Sequence, residues 1–249
     1  MLETIMKHRS IRKYKNTPIS EKDLNEILEA GTRASTTGNM QLYSMIVTQD
    51  EQKKKELAPT HFNQPMVTQA PVHITFCADI NRFHKWCENR DAEPAYDNFL
   101  WFFNAAIDAL LVSENVCLAA EEKGMGICYL GTVTYNADQI IKILEIPQGV
   151  VPVAAIVLGY PDESPGLTDR LPLEGVVHHE TYKDYKPEDI DRIYAEKEAL
   201  EETKQLLKEN SKETLAQVFT DNRYKKEDNL HFTKQYLKVL QQQGFMNNI

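Results

Sequence analysis

His8-Arg9-Ser10-Ile11-Arg12-Lys13-Tyr14 is the stretch around which the rest of this sequence is organised. It follows a short amphipathic run, so its basic residues arrive where a first helix would end. Arg9 and Arg12 carry planar forks of N–H donors that suit a phosphate or a carboxylate, and His8 and Ser10 add shorter donors. The stretch is therefore a candidate anion site. The alternative is a solvated basic helix end, where cations interact favourably with the helix dipole.

A second donor-rich stretch is Ala34-Ser35-Thr36-Thr37-Gly38-Asn39-Met40-Gln41. It lies between a predicted helix that begins near Ser20 and a predicted strand that begins near Tyr43. Small hydroxyl residues followed by Gly and Asn are typical of a tight loop, and loops on a rigid scaffold often hold ligands. The sequence thus offers two candidate binding segments close to its start.

Helices and strands are both predicted between residues 20 and 159. Ser20 and Asp23 have the spacing of a helix capping box, which predicts a helix to about Ala34. Further helices are predicted for 50–57, 80–89, 98–123 and 136–144, and strands for 43–48, 73–78, 127–130 and 151–158. The last strand is apolar almost throughout, as expected for a central strand covered on both faces. Helix 98–123 is apolar on nearly every side, which is typical of a buried helix.

Composition restricts the class of protein. A formal net charge of −9 argues against general nucleic-acid binding, which needs a cationic surface. The sequence has no apolar run of eighteen residues, so no membrane span is predicted. Basic residues interrupt the N-terminus before the apolar region of a signal peptide develops, so a cytoplasmic location is expected.

The four cysteines form no CxxC pair and show no zinc spacing, which predicts buried free thiols. No metal site is predicted; His178-His179 lacks further ligands at suitable spacing.

These motifs together resemble the nitroreductase family of FMN enzymes, and most closely its larger NADPH-dependent nitroreductase and flavin reductase branch. The resemblance rests on residues 8–12 and 35–41 at this separation. It continues in the same order through Asn63-Gln64, 73–79 with Asn81-Arg82, 123–131, Ile146-Pro147, 159–161 and 169–172. It covers residues 1 to about 185, and beyond them only the length and the helical character match.

The resemblance implies an α+β fold with three α/β/α layers, a central mixed, mainly antiparallel sheet and a helical C-terminal extension, in a domain-swapped homodimer. Residues 1–185 would form the FMN-binding domain, and 186–249 would pack on the core or on the partner subunit. Helix 98–123 would pack against its counterpart in the dimer. The residues that suit this role are Trp101, Phe102, Phe103, Leu110 and Val116, for which the core of a monomer is the alternative.

The resemblance also implies a set of FMN-binding residues. His8, Arg9, Ser10 and Arg12, joined by Arg170, would hold the phosphate, the ribityl chain and the pyrimidine edge. Arg9 would stabilise negative charge on the reduced ring. Ser35, Thr36 and Thr37 would come from the other subunit, Gln64 would reach the ring, and backbone N–H groups of Leu130, Gly131 or Thr132 would face its N5 and O4.

Arg170 departs from the pattern of the branch, which usually has a second basic residue two positions earlier. Here that position is Thr168, and Asp169 lies beside the arginine. An acid at this place would weaken FMN retention unless it points away or a cation such as Lys13 compensates for it.

The activity that the resemblance implies is a ping-pong cycle. NAD(P)H would give a hydride to flavin N5 and leave, and a nitroaromatic compound, a quinone or a free flavin would take the electrons. The nearest basic group for the extra phosphate of NADPH is Arg223 with Lys225 and Lys226; a solvated charged loop is the alternative. The absence of GxGxxG disfavours a Rossmann domain. Two other functions remain open: a specialised flavoenzyme, such as a reductive dehalogenase or a flavin-cleaving enzyme, and a carrier or sensor without turnover.

Overall fold

The computed structural model describes residues 1–247. The chain forms two compact units: the first runs over Met1–Gly166 and resumes at Phe232, and the second is Leu167–His231. The predicted boundary between residues 185 and 186 follows the sequence resemblance rather than these contacts, and it stays a prediction.

The first unit is built on a four-stranded sheet. Its strands are β1 (Tyr43–Thr48), β2 (Val72–Asp79), β3 (Gly126–Tyr129) and β4 (Val150–Gly159), in the order β1-β2-β4-β3. All three strand pairs are antiparallel, and an isolated parallel bridge joins Ser10 to Ile127. The predicted α+β class with a mainly antiparallel sheet is confirmed. The domain-swapped homodimer stays a prediction.

The helices follow the predicted pattern, with ends shifted by one or two residues. They are α1 (Leu2–Met6), α2 (Glu21–Thr32), α3 (Glu51–Leu57), α4 (Met66–Gln69), α5 (Asn81–Glu88), α6 (Phe99–Glu122), α7 (Ala137–Ile143), α8 (Pro187–Ala199), α9 (Glu201–Asn210), α10 (Leu215–Gln217) and α11 (Lys226–Gln242). Short 3-10 turns lie at Thr37–Asn39, Ala58–His61 and Leu173–Gly175, and a π-helical turn at Val218–Arg223. Between the predicted helix 50–57 and the predicted strand 73–78, where the sequence predicted no regular element, a 3-10 turn and α4 occur.

Strand β4 shows why the sheet has helices on both faces. Ile156 and Leu158 lie in one buried cluster with α2 and α6, whereas Ala155 and Val157 lie in another with α3, α4 and α7. Successive side chains of a strand point to opposite faces, so both faces of β4 are covered, as its apolar sequence predicts. The three α/β/α layers are therefore present.

The start of α2 is capped differently from the prediction. Ser20 Oγ accepts from the amide of Asp23 at 3.0 Å, but the Asp23 carboxylate accepts from the Ser20 hydroxyl at 2.6 Å and from Lys123 Nζ at 2.9 Å. The reciprocal half of a capping box is thus replaced by an ion pair with the end of α6. The sequence could not show this because Lys123 is remote in the chain.

Helix α6 is buried on one side only. Phe102, Val112 and Val116 pack in the core, so the prediction of a helix buried all round is wrong for the isolated chain. A stripe of exposed apolar residues runs along its other side: Phe99, Leu100, Phe103, Ile107, Leu110 and Leu111. Among the helices of residues 1–247, α6 alone is long and apolar enough to cross a membrane. The core helices of globular proteins often have the same length and hydropathy. Because α6 packs on the sheet, it is a core helix.

The end of α11 returns to the first unit. Val239 and Leu240, followed by Phe245, are buried there in a cluster with Leu42 and Phe102.

The cysteines Cys77, Cys87, Cys117 and Cys128 are free and buried, as predicted. Burial raises the pKa of the Cys117 thiol to about 12 and also raises that of Cys128, so both stay protonated and unreactive near neutral pH.

Candidate functional site

The basic stretch lies along the outer edge of β3. The amide of Ile11 donates to the carbonyl of Ile127 at 2.8 Å, and that of Lys15 donates to Tyr160 at 2.9 Å. A Cβ at residue 126 would lie 2.4 Å from Ile11 Cγ1, so Gly126 permits this close approach. Because α1 already ends at Met6, residues 10–14 form an ordered segment on the sheet rather than a solvated helix end.

The two arginines of this segment differ in the hydrogen bonds that their guanidinium groups make within the protein. Arg9 donates from Nη1 to the carbonyl of Pro165 at 2.9 Å and from Nε to that of Lys7 at 3.2 Å. The amide of Arg12 donates to Glu163 Oε1 at 2.5 Å, whereas its exposed guanidinium has no partner among residues 1–247. All the side-chain donors of Arg12 are therefore available to a ligand.

His8 is held by a carboxylate of α6. Its Nδ1 lies 2.7 Å from Glu121 Oε1, and Glu121 is largely buried. Burial raises the pKa of Glu121, and the hydrogen bond with His8 opposes that effect. The second carboxylate oxygen, Oε2, is buried without a partner in the described chain. This contact fixes the orientation of the imidazole next to the two arginines.

The loop that follows β3 has two unused backbone donors. The amide of Leu130 donates to the carbonyl of Ala155 at 2.9 Å and is thus engaged in the sheet. The amides of Gly131 and Thr132 have no acceptor within the part of the chain that is described, and a Cβ at Gly131 would meet open space. Of the three amides predicted to face a flavin, Gly131 and Thr132 are the ones that remain free to do so.

The segment that carries Gln64 is tied to this loop. His61 Nδ1 lies 2.8 Å from Thr132 Oγ1, and Asn136 Nδ2 donates to the carbonyl of Thr60 at 2.7 Å. The backbone N–H of Gln64 donates to the carbonyl of His61 at 3.2 Å. The half-buried side chain of Gln64 has no partner in residues 1–247. The structure therefore brings Gln64, Thr132 and the end of β3 together.

His61 and a second histidine form a buried pair behind Thr132. His61 Nε2 lies 3.4 Å from His73 Nε2, and both residues are fully buried. Burial lowers the pKa of His61 to about 4 and that of His73 to about 3. Both imidazoles are thus neutral near pH 7. No sequence motif indicated this pair, although a histidine in a buried strand, His73, is a signal that could have done so.

Two side chains that the sequence analysis gave no role hold the loop of residues 35–41. Asp108, buried in α6, accepts from the amide of Thr37 at 2.8 Å and from that of Leu42 at 3.1 Å. Arg82 donates to the carbonyls of Tyr43, at 3.1 Å, and Gln41. The backbone of Gly38, Asn39 and Gln41 is left-handed. The hydroxyls of Ser35, Thr36 and Thr37 have no partner in the described chain.

The two halves of the predicted site lie at opposite edges of the sheet. Residues 8–14 border β3, whereas residues 35–41 lead into β1. Neighbouring strands lie about 4.8 Å apart, so three spacings separate these edges by about 14 Å. One chain does not bring the two halves together.

Arg170 lies in the second unit. Its Nη1 donates to the carbonyls of Thr168 at 3.2 Å and Asp169 at 2.9 Å. The Asp169 carboxylate pairs with Lys197 Nζ at 2.7 Å. The acid that was expected to weaken an anion site is therefore compensated by Lys197 of α8 rather than by Lys13.

The guanidinium of Arg223 lies 5.9 Å from the centre of the Phe219 ring. The predicted roles of Arg170, Arg223 and Lys225 stay predictions.

The sequence profile of the Nitroreductase family matches residues 5–160. An NADPH-dependent oxidoreductase of Staphylococcus aureus is 37% identical over 72% of this chain and 72% of its own length. The "FMN reductase (NADPH)" of Bacillus subtilis is 33% identical over 73% of this chain and 74% of its own. A crystal structure of a candidate oxidoreductase from Bacteroides fragilis superimposes with a TM-score of 0.97 at 54% identity, covering 98% of this chain and 100% of that one.

Proposed function

Since this chain belongs to the nitroreductase family, we propose that it is an FMN-dependent NAD(P)H oxidoreductase that works by a ping-pong cycle. The FMN reductase and the NADPH-dependent oxidoreductase among its relatives support this assignment. The acceptor classes that we propose are nitroaromatic compounds, quinones and free flavins. FMN, when bound, supplies the ring that takes up a hydride from the donor.

The observation that carries the proposal is the set of unused donors around β3. The guanidinium of Arg12, the amides of Gly131 and Thr132 and the side-chain amide of Gln64 have no acceptor within residues 1–247. Such a set suits a ligand that has an anionic phosphate at one end and a ring edge of hydrogen-bond acceptors at the other. FMN has this composition, so the residues present fit it.

Each group has a definite physical part in this proposal. Arg12 neutralises the phosphate, and His8 and Ser10 add donors along the chain of the ligand. The guanidinium of Arg9 stabilises negative charge that develops on the reduced ring. The two amides after β3 are fixed by the turn that carries them, so they need no reorganisation when they meet an acceptor. Arg170 is proposed as a further phosphate ligand.

We propose that the active form is a homodimer. The separation of residues 8–14 from residues 35–41 supports this, because a second chain can supply Ser35, Thr36 and Thr37 to a site at β3. The exposed stripe of α6 offers an apolar surface for the contact. Arg223 and Lys225 are proposed to hold the extra phosphate of NADPH, and the cytoplasmic location stays a prediction.

The test is the visible absorption spectrum of the purified protein, with FMN added, before and after anaerobic addition of NADPH and then NADH. We expect a flavin spectrum that bleaches with at least one donor and recovers when a quinone or a nitroaromatic compound is added. A protein that binds no FMN would refute the proposal. A bound flavin that neither donor reduces would favour the carrier or sensor instead.

A further inference from the structure

Thr132, His61 and His73 form a continuous hydrogen-bonded row that runs from the loop after β3 into the core. Thr132 Oγ1 lies 2.8 Å from His61 Nδ1, and the two Nε2 atoms lie 3.4 Å apart. Thr132 is half-buried, and the two imidazoles have no exposed surface. Neither histidine takes part in the function proposed above.

The protonation of this row is restricted because both imidazoles are neutral. A neutral imidazole carries one N–H and one lone pair, so one Nε2 donates and the other accepts. Either His73 donates from Nε2 and its Nδ1 is a lone pair, or His73 accepts at Nε2 and its Nδ1 carries the proton. His73 Nδ1 is buried and has no partner among residues 1–247.

The position of this unpaired atom favours the first arrangement. Among buried backbone groups, an N–H without an acceptor is rarer than an under-satisfied acceptor, and we apply the same preference to the ring nitrogens of His73. This preference places the proton of His73 on Nε2, from which it is donated to His61 Nε2. His61 must then carry its own proton on Nδ1 and donate it to Thr132 Oγ1.

The hydroxyl proton of Thr132 is left without an acceptor in the described chain. Its oxygen already accepts from His61, so the O–H must point away from the imidazole. The neighbouring amides of Gly131 and Thr132 are unused as well. The loop thus presents three donors and no competing acceptor from the row behind it.

We propose that His73 and His61 are positioning residues that fix the Thr132 hydroxyl as a hydrogen-bond donor to an acceptor atom of the bound flavin ring. This inference rests on the proposed function for the identity of the ligand. It assigns Thr132 a side-chain contact in addition to the predicted backbone contact. A donor at this place stabilises electron density on the reduced ring, so it raises the reduction potential of the flavin.

The first test is neutron diffraction from crystals of the deuterated protein as purified. We expect deuterium on His73 Nε2 and on His61 Nδ1, with the Thr132 deuteron turned away from His61. Deuterium on His73 Nδ1 and a Thr132 hydroxyl that donates to His61 would overturn the inference. The proton positions are read directly, so this result does not depend on the proposed activity.

The second test uses matched variants of the loop. Thr132→Val removes the hydroxyl while keeping the shape of the side chain, and Thr132→Ser keeps the hydroxyl. We expect Thr132→Val to weaken FMN binding about three- to tenfold, as for one neutral hydrogen bond, and to lower the flavin reduction potential. Thr132→Ser should restore both quantities, and Thr134→Val, two residues along, should change neither.

The outcomes separate the two proposals. A wild-type protein that binds no FMN would refute the proposed function. A wild-type flavoprotein whose potential and FMN affinity are unchanged by Thr132→Val would leave that function standing and overturn the role of the hydroxyl. His61→Leu should reproduce the lowered potential, because Thr132 would lose the partner that orients it.

Discussion

At the scale of single residues, Arg12 is distinguished by a guanidinium whose hydrogen-bond donors have no acceptor among residues 1–247. Its backbone amide is anchored by Glu163, while the guanidinium has no acceptor in residues 1–247. A charged side chain that is held at its base and free at its end is suited to meet an anion. Arg9, by contrast, also donates to the carbonyls of Lys7 and Pro165.

Arg12→Ala should weaken FMN binding without unfolding the protein. Loss of one charge-assisted hydrogen bond costs about 1.5–3 kcal/mol, which corresponds to a dissociation constant raised roughly 10- to 150-fold. Titration of the flavin-free protein with FMN, followed by quenching of flavin fluorescence, measures this change. Lys15→Ala in the same segment is the matched control. An unchanged dissociation constant would remove Arg12 from the site.

The stability of the protein should fall as the pH is lowered from about 6.5 to 4. Burial lowers the pKa of His61 to about 4 and that of His73 to about 3, so below pH 6.5 the unfolded chain takes up protons that the folded protein does not. The free energy of unfolding therefore decreases, by up to about 2 kcal/mol for each imidazole between pH 7 and pH 5. Urea unfolding at both pH values measures it.

The control for this pH dependence is His73→Gln, which removes one titrating group and keeps a donor. Its free energy of unfolding should change less between pH 7 and pH 5 than that of the wild type. Equal slopes for the two proteins would show that other groups determine the acid sensitivity.

Sequence reasoning at this scale found the exposed donors and missed the buried groups that support them. Arg12 and Thr37 belong to short motifs with evident chemistry. Asp108 and His61 act through contacts with residues 37, 42 and 132, which lie far away in the chain. The only local signal for Asp108 was a carboxylate between apolar residues in the first half of the helix, and a buried carboxylate normally has a partner.

At the scale of elements, α6 has two different surfaces. One side packs in the core and carries Asp108, and the other exposes an apolar stripe that includes Phe103 and Leu110. The apolar sequence predicted burial all round, because hydropathy does not distinguish a core from a surface that another chain covers.

Leu110→Glu should convert the protein to monomers and reduce its FMN content. A charge in the middle of the exposed stripe would have to be desolvated on association without a partner for it. Sedimentation velocity together with the flavin-to-protein ratio measures both effects. Leu173→Glu, at an exposed leucine of the second unit, should leave both unchanged. A dimeric Leu110→Glu variant would show that the stripe is not the interface.

Asp108→Asn should destabilise the protein and loosen residues 37–42. The carboxylate accepts from two amides through its two oxygens, whereas an asparagine has one acceptor and would point an N–H at the other amide. The expected loss is about 1.5–3 kcal/mol. Denaturant unfolding measures it, and hydrogen exchange at Thr37 and Leu42 should become faster. Exchange that stays slow at both amides would contradict the role of Asp108. Asp138→Asn, at a partly exposed site of α7, is the control.

At the scale of the whole molecule, the order of the strands decides how a site can be assembled. Residues 8–14 and residues 35–41 are close in sequence, yet the order β1-β2-β4-β3 places them at opposite edges. Sequence reasoning predicted the strands themselves with small errors at their ends. Their order depends on long-range pairing, which no local pattern reports, and the family resemblance indicated only a mixed, mainly antiparallel sheet.

Mixed dimers of two defective chains should recover half of the sites. One chain carries Arg12→Ala, and the other carries Thr36→Val with Thr37→Val, each of which should bind FMN weakly as a homodimer. If a site takes residues 8–14 from one chain and 35–37 from the other, the mixed dimer has one intact site and one doubly altered site. Titration of tagged, co-purified mixed dimers should show half a tight FMN equivalent per chain. No tight site at all would indicate that each chain builds its own.

The position of Asp108 on α6 has a consequence for the handling of the protein. Within one turn of the helix, Ile107 and Leu110 face outwards while Asp108 holds the loop that begins at Thr37. In the proposed dimer, subunit association and order in that loop are therefore linked, and by mass action the flavin is linked to both. Dilution alone would then release cofactor, and added FMN would hold two chains together that otherwise separate.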